Sequence, residues 1–198
     1  MGARKGRNVR DNIFVVNSVL NAASKNKEVP VDIQVFDMEK CFDALWLHDC
    51  INDLYDAGVN NDKLPLLFQE NAKARVAVKN GDKLSKRIDI HNVVMQHSVW
   101  GSLMCTTSMS KLVDLAYEKP DLCLKYKDIV VIPPLGMIDD ILCLQRCSKL
   151  EAINDSISTF IELKKLKFSH KKCSQIHVGK GIPKCADLKG SFKEHVQI

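Results

Sequence analysis

The stretch Met137-Ile-Asp-Asp-Ile-Leu142 places two adjacent carboxylates in the middle of an otherwise apolar run. The flanking residues are typical of a buried strand, where a carboxylate is costly unless a cation or hydrogen bonds compensate for it. A tight turn between two antiparallel strands would place both carboxylates at its tip. The stretch therefore predicts a strand hairpin with an acidic tip, although an Asp-Asp pair taken alone more often forms an ordinary exposed turn.

A second acidic segment occurs earlier in the chain, in Val35-Phe-Asp-Met-Glu-Lys-Cys-Phe-Asp43. Residues 31–37 first alternate between apolar and polar side chains and then form a short apolar run, which predicts a strand that ends at Asp37. If this strand neighbours the hairpin, Asp37 and Asp139 converge at one edge of a sheet. Converging carboxylates can hold Mg²⁺ together with substrate phosphates, and two such ions can support phosphoryl transfer.

The remaining pattern predicts an α+β fold. Helical spacing is found at 8–25, 46–57, 63–72 and 101–117. A capping box at Ser148-Lys-Leu-Glu151 predicts a further helix that runs to about Leu166. Predicted strands lie at 74–79 and 84–90 around an Asn-Gly turn, and at 128–132, 135–144 and 174–178. Because helices and strands do not alternate regularly, we expect a mostly antiparallel sheet with packed helices.

Composition bounds the class of protein. The chain has 198 residues, of which 45% are hydrophobic and 27% charged, so disordered and collagen-like classes are excluded. No apolar run approaches the roughly 18 to 20 residues of a membrane span, and the N-terminus lacks the apolar stretch of a secretory signal. We expect one domain, an intracellular location in the cytoplasm or nucleus, and no membrane partner.

Charge is distributed unevenly along the chain, whose formal net charge is +5. Residues 1–10 contain four basic residues and no acid, and residues 161–198 contain nine Lys against three acidic residues. The segment between them is net acidic. Basic ends around an acidic middle indicate a polyanion partner and a carboxylate-rich site, with a solvated surface as the plain alternative.

The eight cysteines favour reduced thiols over disulfides, because their spacing is irregular and no secretion signal is found. No paired C-x-x-C spacing occurs. A loose cluster of His170, Cys173, His177 and Cys185 is only a weak signal for a structural zinc site.

Taken in order, the acidic segments resemble the palm of reverse transcriptases, and the match is closest to non-long-terminal-repeat (LINE-type) retroelements. Asp37 with Phe42 is similar to the first palm motif, in which an aromatic residue follows Asp after five positions. Ile138-Asp-Asp140 resembles the motif of an aromatic residue, any residue and two Asp, with Met137 in the aromatic position.

Two further segments resemble nucleotide-binding motifs of the same family. Gln96 matches the first residue of a Gln-Gly motif, although His97 stands where the family has Gly. Leu166-Lys-Phe-Ser-His-Lys-Lys-Cys173 resembles the motif whose Lys approaches the incoming triphosphate. Lys172 is the better candidate for that Lys, and Lys171 is the alternative.

The resemblance implies a polymerase palm-like, ferredoxin-like antiparallel sheet with packed helices and part of the fingers. These would occupy residues 1–180. Residues 181–198 would form a truncated C-terminal tail without the primer grip and thumb. Gly6-Arg-Asn-Val-Arg-Asp-Asn-Ile13 resembles the segment that enters the palm from the fingers.

The resemblance also implies an RNA-directed DNA polymerase that uses an RNA template, a DNA primer and deoxynucleoside triphosphates. Two Mg²⁺ ions, or Mn²⁺ as a substitute, would be bound by the catalytic residues Asp37, Asp139 and Asp140. Phe42 would exclude a 2′-hydroxyl, while Gln96 and Lys172 would hold the nucleotide, making these three the substrate-binding residues.

Other functions stay open at this point. The chain is alternatively a catalytically inactive nucleic-acid-binding relic or a co-opted retroelement fragment, so its status as an enzyme is uncertain. An RNA-dependent RNA polymerase or a nucleotide cyclase would use a similar group of carboxylates in a palm-like fold. Phe42 argues against both, because a bulky side chain at this position disfavours a ribose substrate. We expect the bulk of His97 to impair nucleotide binding, because Gly would allow closer backbone approach.

Overall fold

The computed structural model describes residues 8–25, 30–91, 94–96, 98, 100–119, 123–126, 130–169, 171–179 and 195–197. The helices are α1 (Val9–Lys25), α2 (Cys41–Ala44), α3 (Leu47–Asp56), α4 (Leu64–Ala72), α5 (Gly101–Glu118) and α6 (Leu150–Leu163). The early strands are β1 (Val31–Phe36), β2 (Arg75–Val76), β3 (Lys79–Asn80), β4 (Lys83–Leu84) and β5 (Ile88–Asp89). The later strands are β6 (Leu124–Tyr126), β7 (Val130–Ile132), β8 (Leu135–Met137), β9 (Asp140–Gln145), β10 (Ser174–Val178) and β11 (His195–Gln197).

A five-stranded sheet in the order β11-β10-β1-β9-β8 organises the fold. Strand β1 lies at its centre and pairs antiparallel with β9 on one side and with β10 on the other. Strands β8 and β9 form an antiparallel hairpin, and β11 pairs parallel with β10. The predicted α+β class, a mostly antiparallel sheet with packed helices, is confirmed.

One face of the sheet packs on helix α1. Alternation along β1 directs Val31, Ile33 and Val35 to this face. They join a hydrophobic cluster that contains Val19 and Ala23 of α1. The amphipathic pattern that predicted α1 thus corresponds to the stripe that buries this face.

The opposite face of the central strands carries a buried polar network. Asp32 Oδ1 accepts a hydrogen bond from Gln175 Nε2 at 3.1 Å and lies 3.1 Å from His177 Nδ1. Gln34 Nε2 donates to Gln175 Oε1 at 3.5 Å. Asp32 faces His177, and Gln34 faces Gln175, in the β1–β10 register. Because a shifted register would leave these buried groups unsatisfied, the network favours a single alignment of β10 on β1.

The chain divides into two compact units. The first contains residues 1–39 and 109–198, and the second contains residues 40–108. The five-stranded sheet belongs to the first unit, and α2, α3, α4 and the short strands β2–β5 belong to the second. The predicted division at residue 180 stays a prediction, because residues 180–194 lie outside the described part of the chain.

Helix α6 differs from its prediction at both ends. The capping box is wrong, because Ser148 lies within a 3₁₀ turn and Lys149 occupies the N-cap position without a side-chain capping bond. The helix ends at Leu163 rather than near Leu166, because Lys165 takes a left-handed conformation with φ of 55°. The Leu166 N–H then bonds back to the Ile161 carbonyl at 2.9 Å, as in a Schellman-type helix end.

In the described part of the chain, no helix combines the length and apolar character needed to cross a bilayer.

Candidate active site

Asp37 follows β1 directly and is held at its backbone by the segment that precedes β10. Its carbonyl accepts a hydrogen bond from the Ser169 N–H at 2.9 Å and a weaker one from the Cys173 thiol at 3.8 Å. Phe36 and Phe168 also pack together, with ring centroids 5.5 Å apart. The end of β1 is therefore tied to the turn that contains the predicted lysine motif.

The Asp-Asp pair lies at the tip of the β8–β9 hairpin, as its sequence predicts. Met137 pairs with Asp140, so Ile138 and Asp139 form a two-residue loop. Ile138 has a φ of 58°, in a region that β-branched residues rarely adopt. Such strain is often found at functional turns. Asp139 thus lies in the loop, and Asp140 is the first residue of β9.

Strand register brings Asp37, Asp140 and Lys172 into one row across the sheet. Phe36 pairs with Ile141, so the next position along each strand places Asp37 opposite Asp140. Val35 pairs with Ser174, and continuing that register by two residues places Asp37 beside Lys172. We refer to Asp140, Asp37 and Lys172 as the charged row.

A direct ion pair links two members of the charged row. Lys172 Nζ lies 3.1 Å from Asp37 Oδ2. The Asp37 side chain is 17% exposed, whereas that of Lys172 is 68% exposed. The carboxylate is therefore fixed within the fold, and the ammonium group approaches it from the solvent side. The sequence motif offered Lys172 as the better candidate and Lys171 as the alternative. Lys172 is the residue that forms this contact with Asp37.

The carboxylates influence one another strongly. Partial burial raises the pKa of Asp140, and the negative charges of Asp139 and Asp37 raise it further. Lys172 acts in the opposite direction, and a hydrogen bond between Asp140 and Asp37 adds to the upward shift of this pKa. These interactions place three carboxylates in a small region where a cation would relieve their repulsion.

This carboxylate set fits a hard divalent cation. Asp37 Oδ1 is buried and receives no hydrogen bond, so one oxygen of the fixed carboxylate lacks compensation. Within the described residues no group of three or more His, Cys, Asp or Glu side chains is already arranged as a metal site. Mg²⁺ commonly uses one or two carboxylates and completes its shell with water and phosphate oxygens, so Asp37 and Asp140 suffice as a starting set.

An apolar groove adjoins the charged row. It has a volume of about 410 Å³ and lies between helix α1 and strands β1, β8 and β9. Val35, Leu142 and Asp140 are among the residues that line it. Asp140 is therefore reachable from the α1 side of the sheet.

Phe42 and Gln96 belong to the second unit, where they lie on neighbouring segments. Phe42 is half-buried in helix α2, and its carbonyl accepts a hydrogen bond from the Val94 N–H at 3.3 Å. Gln96, two residues after Val94 in the sequence, is exposed. The segment is held further by the Met95 N–H, which donates to Asn71 Oδ1 at 3.4 Å. His97 lies outside the described residues.

The loosely clustered His and Cys residues do not meet as a zinc site in the described part of the chain. Cys173 contacts the Asp37 carbonyl, whereas His177 contacts Asp32 on the polar face of the sheet. His170 and Cys185 lie outside the described residues. Six described cysteines are thiols rather than disulfides: Cys41, Cys50, Cys105, Cys123, Cys143 and Cys173.

Sequence reasoning missed the residues that anchor the charged row. Ser169 and Cys173 hold the Asp37 carbonyl, and Ile138 adopts the strained turn. The spacing of Ile138 and Asp139 between two apolar runs was a signal for the two-residue loop. No local signal identifies Ser169, because its contact depends on pairing between distant segments.

Solved structures of telomerase share this fold. Telomerase from Candida tropicalis, truncated from the C-terminal domain, has a TM-score of 0.59 and 18% identity, over 87% of this chain and 35% of that chain. The Candida tropicalis complex with a TWJ fragment of telomeric RNA has a TM-score of 0.58 and 18% identity, over 85% and 29%. The corresponding Candida albicans complex has a TM-score of 0.51 and 12% identity, over 84% and 31%.

These similarities show the fold alone, because the sequence identities are low. No family model matches the sequence, and no curated protein matches it. The chain spans about a third of the length of the telomerase chains that it resembles. Its mostly antiparallel sheet and packed helices therefore form a fold of the kind found in these telomerase structures.

Proposed function

We propose that this chain carries the palm of an RNA-directed DNA polymerase, a reverse transcriptase of the non-long-terminal-repeat type. The observation that carries the proposal is the charged row, in which Asp140, Asp37 and Lys172 lie side by side at the ends of the central strands. The polymerase-like fold supports it. The retroelement subtype rests on the sequence motifs around Asp37 and Asp139.

Asp37, Asp139 and Asp140 are the residues that would hold two Mg²⁺ ions, with Mn²⁺ as a substitute. When bound, the ions would neutralise negative charge on the attacking and leaving oxygens of phosphoryl transfer. The uncompensated Oδ1 of Asp37 supports this assignment, because a cation would satisfy a buried oxygen. Asp37 is positioned by backbone contacts to Ser169 and Cys173, so its carboxylate is preorganised.

The remaining site residues bind and orient the substrates. The exposed ammonium group of Lys172 is placed to move from Asp37 to the phosphates of an incoming deoxynucleotide. Phe42 would exclude a ribose 2′-hydroxyl, and Gln96 would contact the nucleotide. The primer 3′-hydroxyl gives up its proton to solvent water and forms a bond to the α-phosphorus, the bond from the α-phosphorus to the oxygen bridging to the β-phosphate breaks, and pyrophosphate departs.

An RNA template and a DNA primer are the proposed macromolecular partners. Two of the telomerase structures that share the fold contain a fragment of telomeric RNA. The basic segments at 1–10 and 161–198 support binding to a polyanion.

A second candidate function is nucleic-acid binding without catalysis. One observation favours it: the Lys172 ammonium group already occupies one oxygen of Asp37. In this case the chain would bind polynucleotides without catalysing nucleotide transfer.

Primer extension on an RNA template separates the two candidates. The complete chain is incubated with a labelled DNA primer annealed to RNA, deoxynucleotides and Mg²⁺ or Mn²⁺. The proposal predicts extension that is abolished in Asp139→Ala and retained in Asp114→Ala, which removes an exposed carboxylate of α5. Extension that survives Asp139→Ala contradicts the site, and RNA binding without any extension selects the second candidate.

A further inference from the structure

Residues 75–89 form a two-stranded ribbon. Each side of the ribbon contains two short strands, and every residue of these four strands is exposed. Arg75 pairs with Asp89 at its base, and Asn80 pairs with Lys83 next to the turn. Strands β2, β3, β4 and β5 are exposed throughout. The register changes by one residue between the two paired ends, which places a bulge in the returning strand and increases its twist.

The ribbon carries a marked excess of positive charge. It contains five basic and two acidic residues. Arg75 is paired with Asp89, with Nε 2.7 Å from Oδ1. The other four cations have no carboxylate partner among the described residues, and all of them are exposed: Lys79, Lys83, Lys86 and Arg87. Asp82 at the turn offsets only one of these four charges, so the narrow ribbon keeps a net positive electrostatic surface.

The side-chain chemistry of the ribbon narrows the choice of partner. No aromatic residue occurs between 75 and 89, so the ribbon offers no platform for stacking bases. Protein interfaces are enriched in Trp, Tyr and Arg and depleted in Lys, whereas three of these four cations are Lys. A partner that presents repeated negative charges and requires no base contact fits this surface best.

We infer that the ribbon binds the phosphate backbone of a nucleic-acid strand, independently of base sequence. Binding releases counterions from the phosphates, and the four unpaired cations supply the compensating charge. Val78 and Leu84, which are 61% and 71% exposed, would pack on sugar surfaces between phosphates. This surface belongs to the second unit and includes none of the carboxylates assigned to the reaction.

The test compares two triple variants with the same change in charge. Lys79→Glu/Lys83→Glu/Arg87→Glu alters the ribbon, and Lys25→Glu/Lys63→Glu/Lys119→Glu alters exposed lysines elsewhere. Fluorescence anisotropy measures binding of a labelled single-stranded RNA of mixed sequence, without divalent cations, at several KCl concentrations. Circular dichroism verifies that both variants fold.

The ribbon variant should bind RNA more than about tenfold more weakly than the wild-type chain. The slope of the logarithm of affinity against the logarithm of KCl concentration should fall in magnitude by about 2, since each phosphate contact to a single strand contributes about 0.7. The control variant should lose at most about threefold, because scattered surface charges act through a screened field. Replacing the same three ribbon residues with Gln should give a smaller loss in the same direction.

Two results would overturn this assignment. Equal loss in the ribbon and control variants would mean that net charge alone determines binding. Loss of phosphatidylserine-vesicle binding in the ribbon variant, with RNA binding unchanged, would assign the surface to a membrane. Failure here is separable from failure of the proposed function, because RNA binding is measured without the metal-dependent reaction and primer extension is measured with an unchanged ribbon.

Discussion

At the scale of single residues, the strained turn at Ile138 links local sequence to the proposed chemistry. A β-branched residue with φ of 58° is disfavoured, because its side chain crowds the neighbouring backbone. The two-residue loop nevertheless requires this conformation, since Met137 pairs directly with Asp140. The turn therefore keeps Asp139 beside Asp140 at a cost of about 1 to 3 kcal/mol.

Ile138→Asn should raise the free energy of unfolding by about 1 kcal/mol, because Asn tolerates the left-handed region better than Ile does. Urea denaturation followed by circular dichroism measures the change. Ile138→Ala is the control and should show a smaller gain, since Ala lacks the short polar side chain that hydrogen-bonds locally in the left-handed region. A less stable Asn variant would show that the turn is not strained.

The ion pair between Lys172 and Asp37 gives a second prediction at this scale. Lys172→Met removes a cation that competes for Asp37 Oδ2, so Mn²⁺ binding without nucleotide should tighten by about threefold or more. The KM for deoxynucleotide should rise by about tenfold, because a charge that contacts phosphate is lost. Mn²⁺ titration and steady-state extension measure these two effects.

Lys171→Met is the matched control, since it removes the neighbouring exposed lysine. It should change neither Mn²⁺ binding nor KM by more than about twofold, in line with weak surface electrostatics. Equal effects of the two substitutions would show that local net charge, rather than the contact with Asp37, governs the site.

At the scale of elements, the start of helix α5 is fixed by a close backbone approach. The Gly101 N–H, at the first residue of the helix, donates to Ser98 Oγ at 2.7 Å. A Cβ at Gly101 would overlap with the Met95 carbonyl oxygen. Helix α5 therefore requires glycine at this position, and the segment with Gln96 is held against its first turn.

Gly101→Ala should reduce the free energy of unfolding by about 2 kcal/mol or more, because the new methyl group would displace backbone atoms. Ser102→Ala, at an exposed position of the same turn, should change it by less than about 0.5 kcal/mol. Chemical denaturation of both variants measures the difference. A fully tolerated Ala at 101 would mean that the 94–101 segment packs differently.

Most elements were predictable because their signals are local. Apolar periodicity identified α1, α3, α4 and α5, and the apolar run ending at Asp37 identified β1. The capping box failed because a 3₁₀ turn starts the helix instead. The bulge in the basic ribbon was not predicted, since register depends on contacts between strands that no single strand encodes.

At the scale of the whole molecule, the sequence identifies the candidate site carboxylates more readily than it predicts their arrangement in space. Asp37 and the Asp139-Asp140 pair were found from strand ends and turn pattern. Their convergence depends on the antiparallel pairing of β1 and β9, which joins residues far apart in the chain. The contact of Lys172 depends in turn on the β1–β10 register, which the buried network of Asp32, Gln175 and His177 favours.

The most direct test of the central claim is divalent-cation binding at the charged row. Mn²⁺ titration monitored by electron paramagnetic resonance should show saturable binding to the wild-type chain. Binding should weaken at least about tenfold in Asp37→Asn and remain unchanged in Asp114→Asn, since the former removes a fixed ligand charge and the latter an exposed one. Unaltered Mn²⁺ affinity in Asp37→Asn would contradict the assignment of these carboxylates as a metal-dependent polymerase centre.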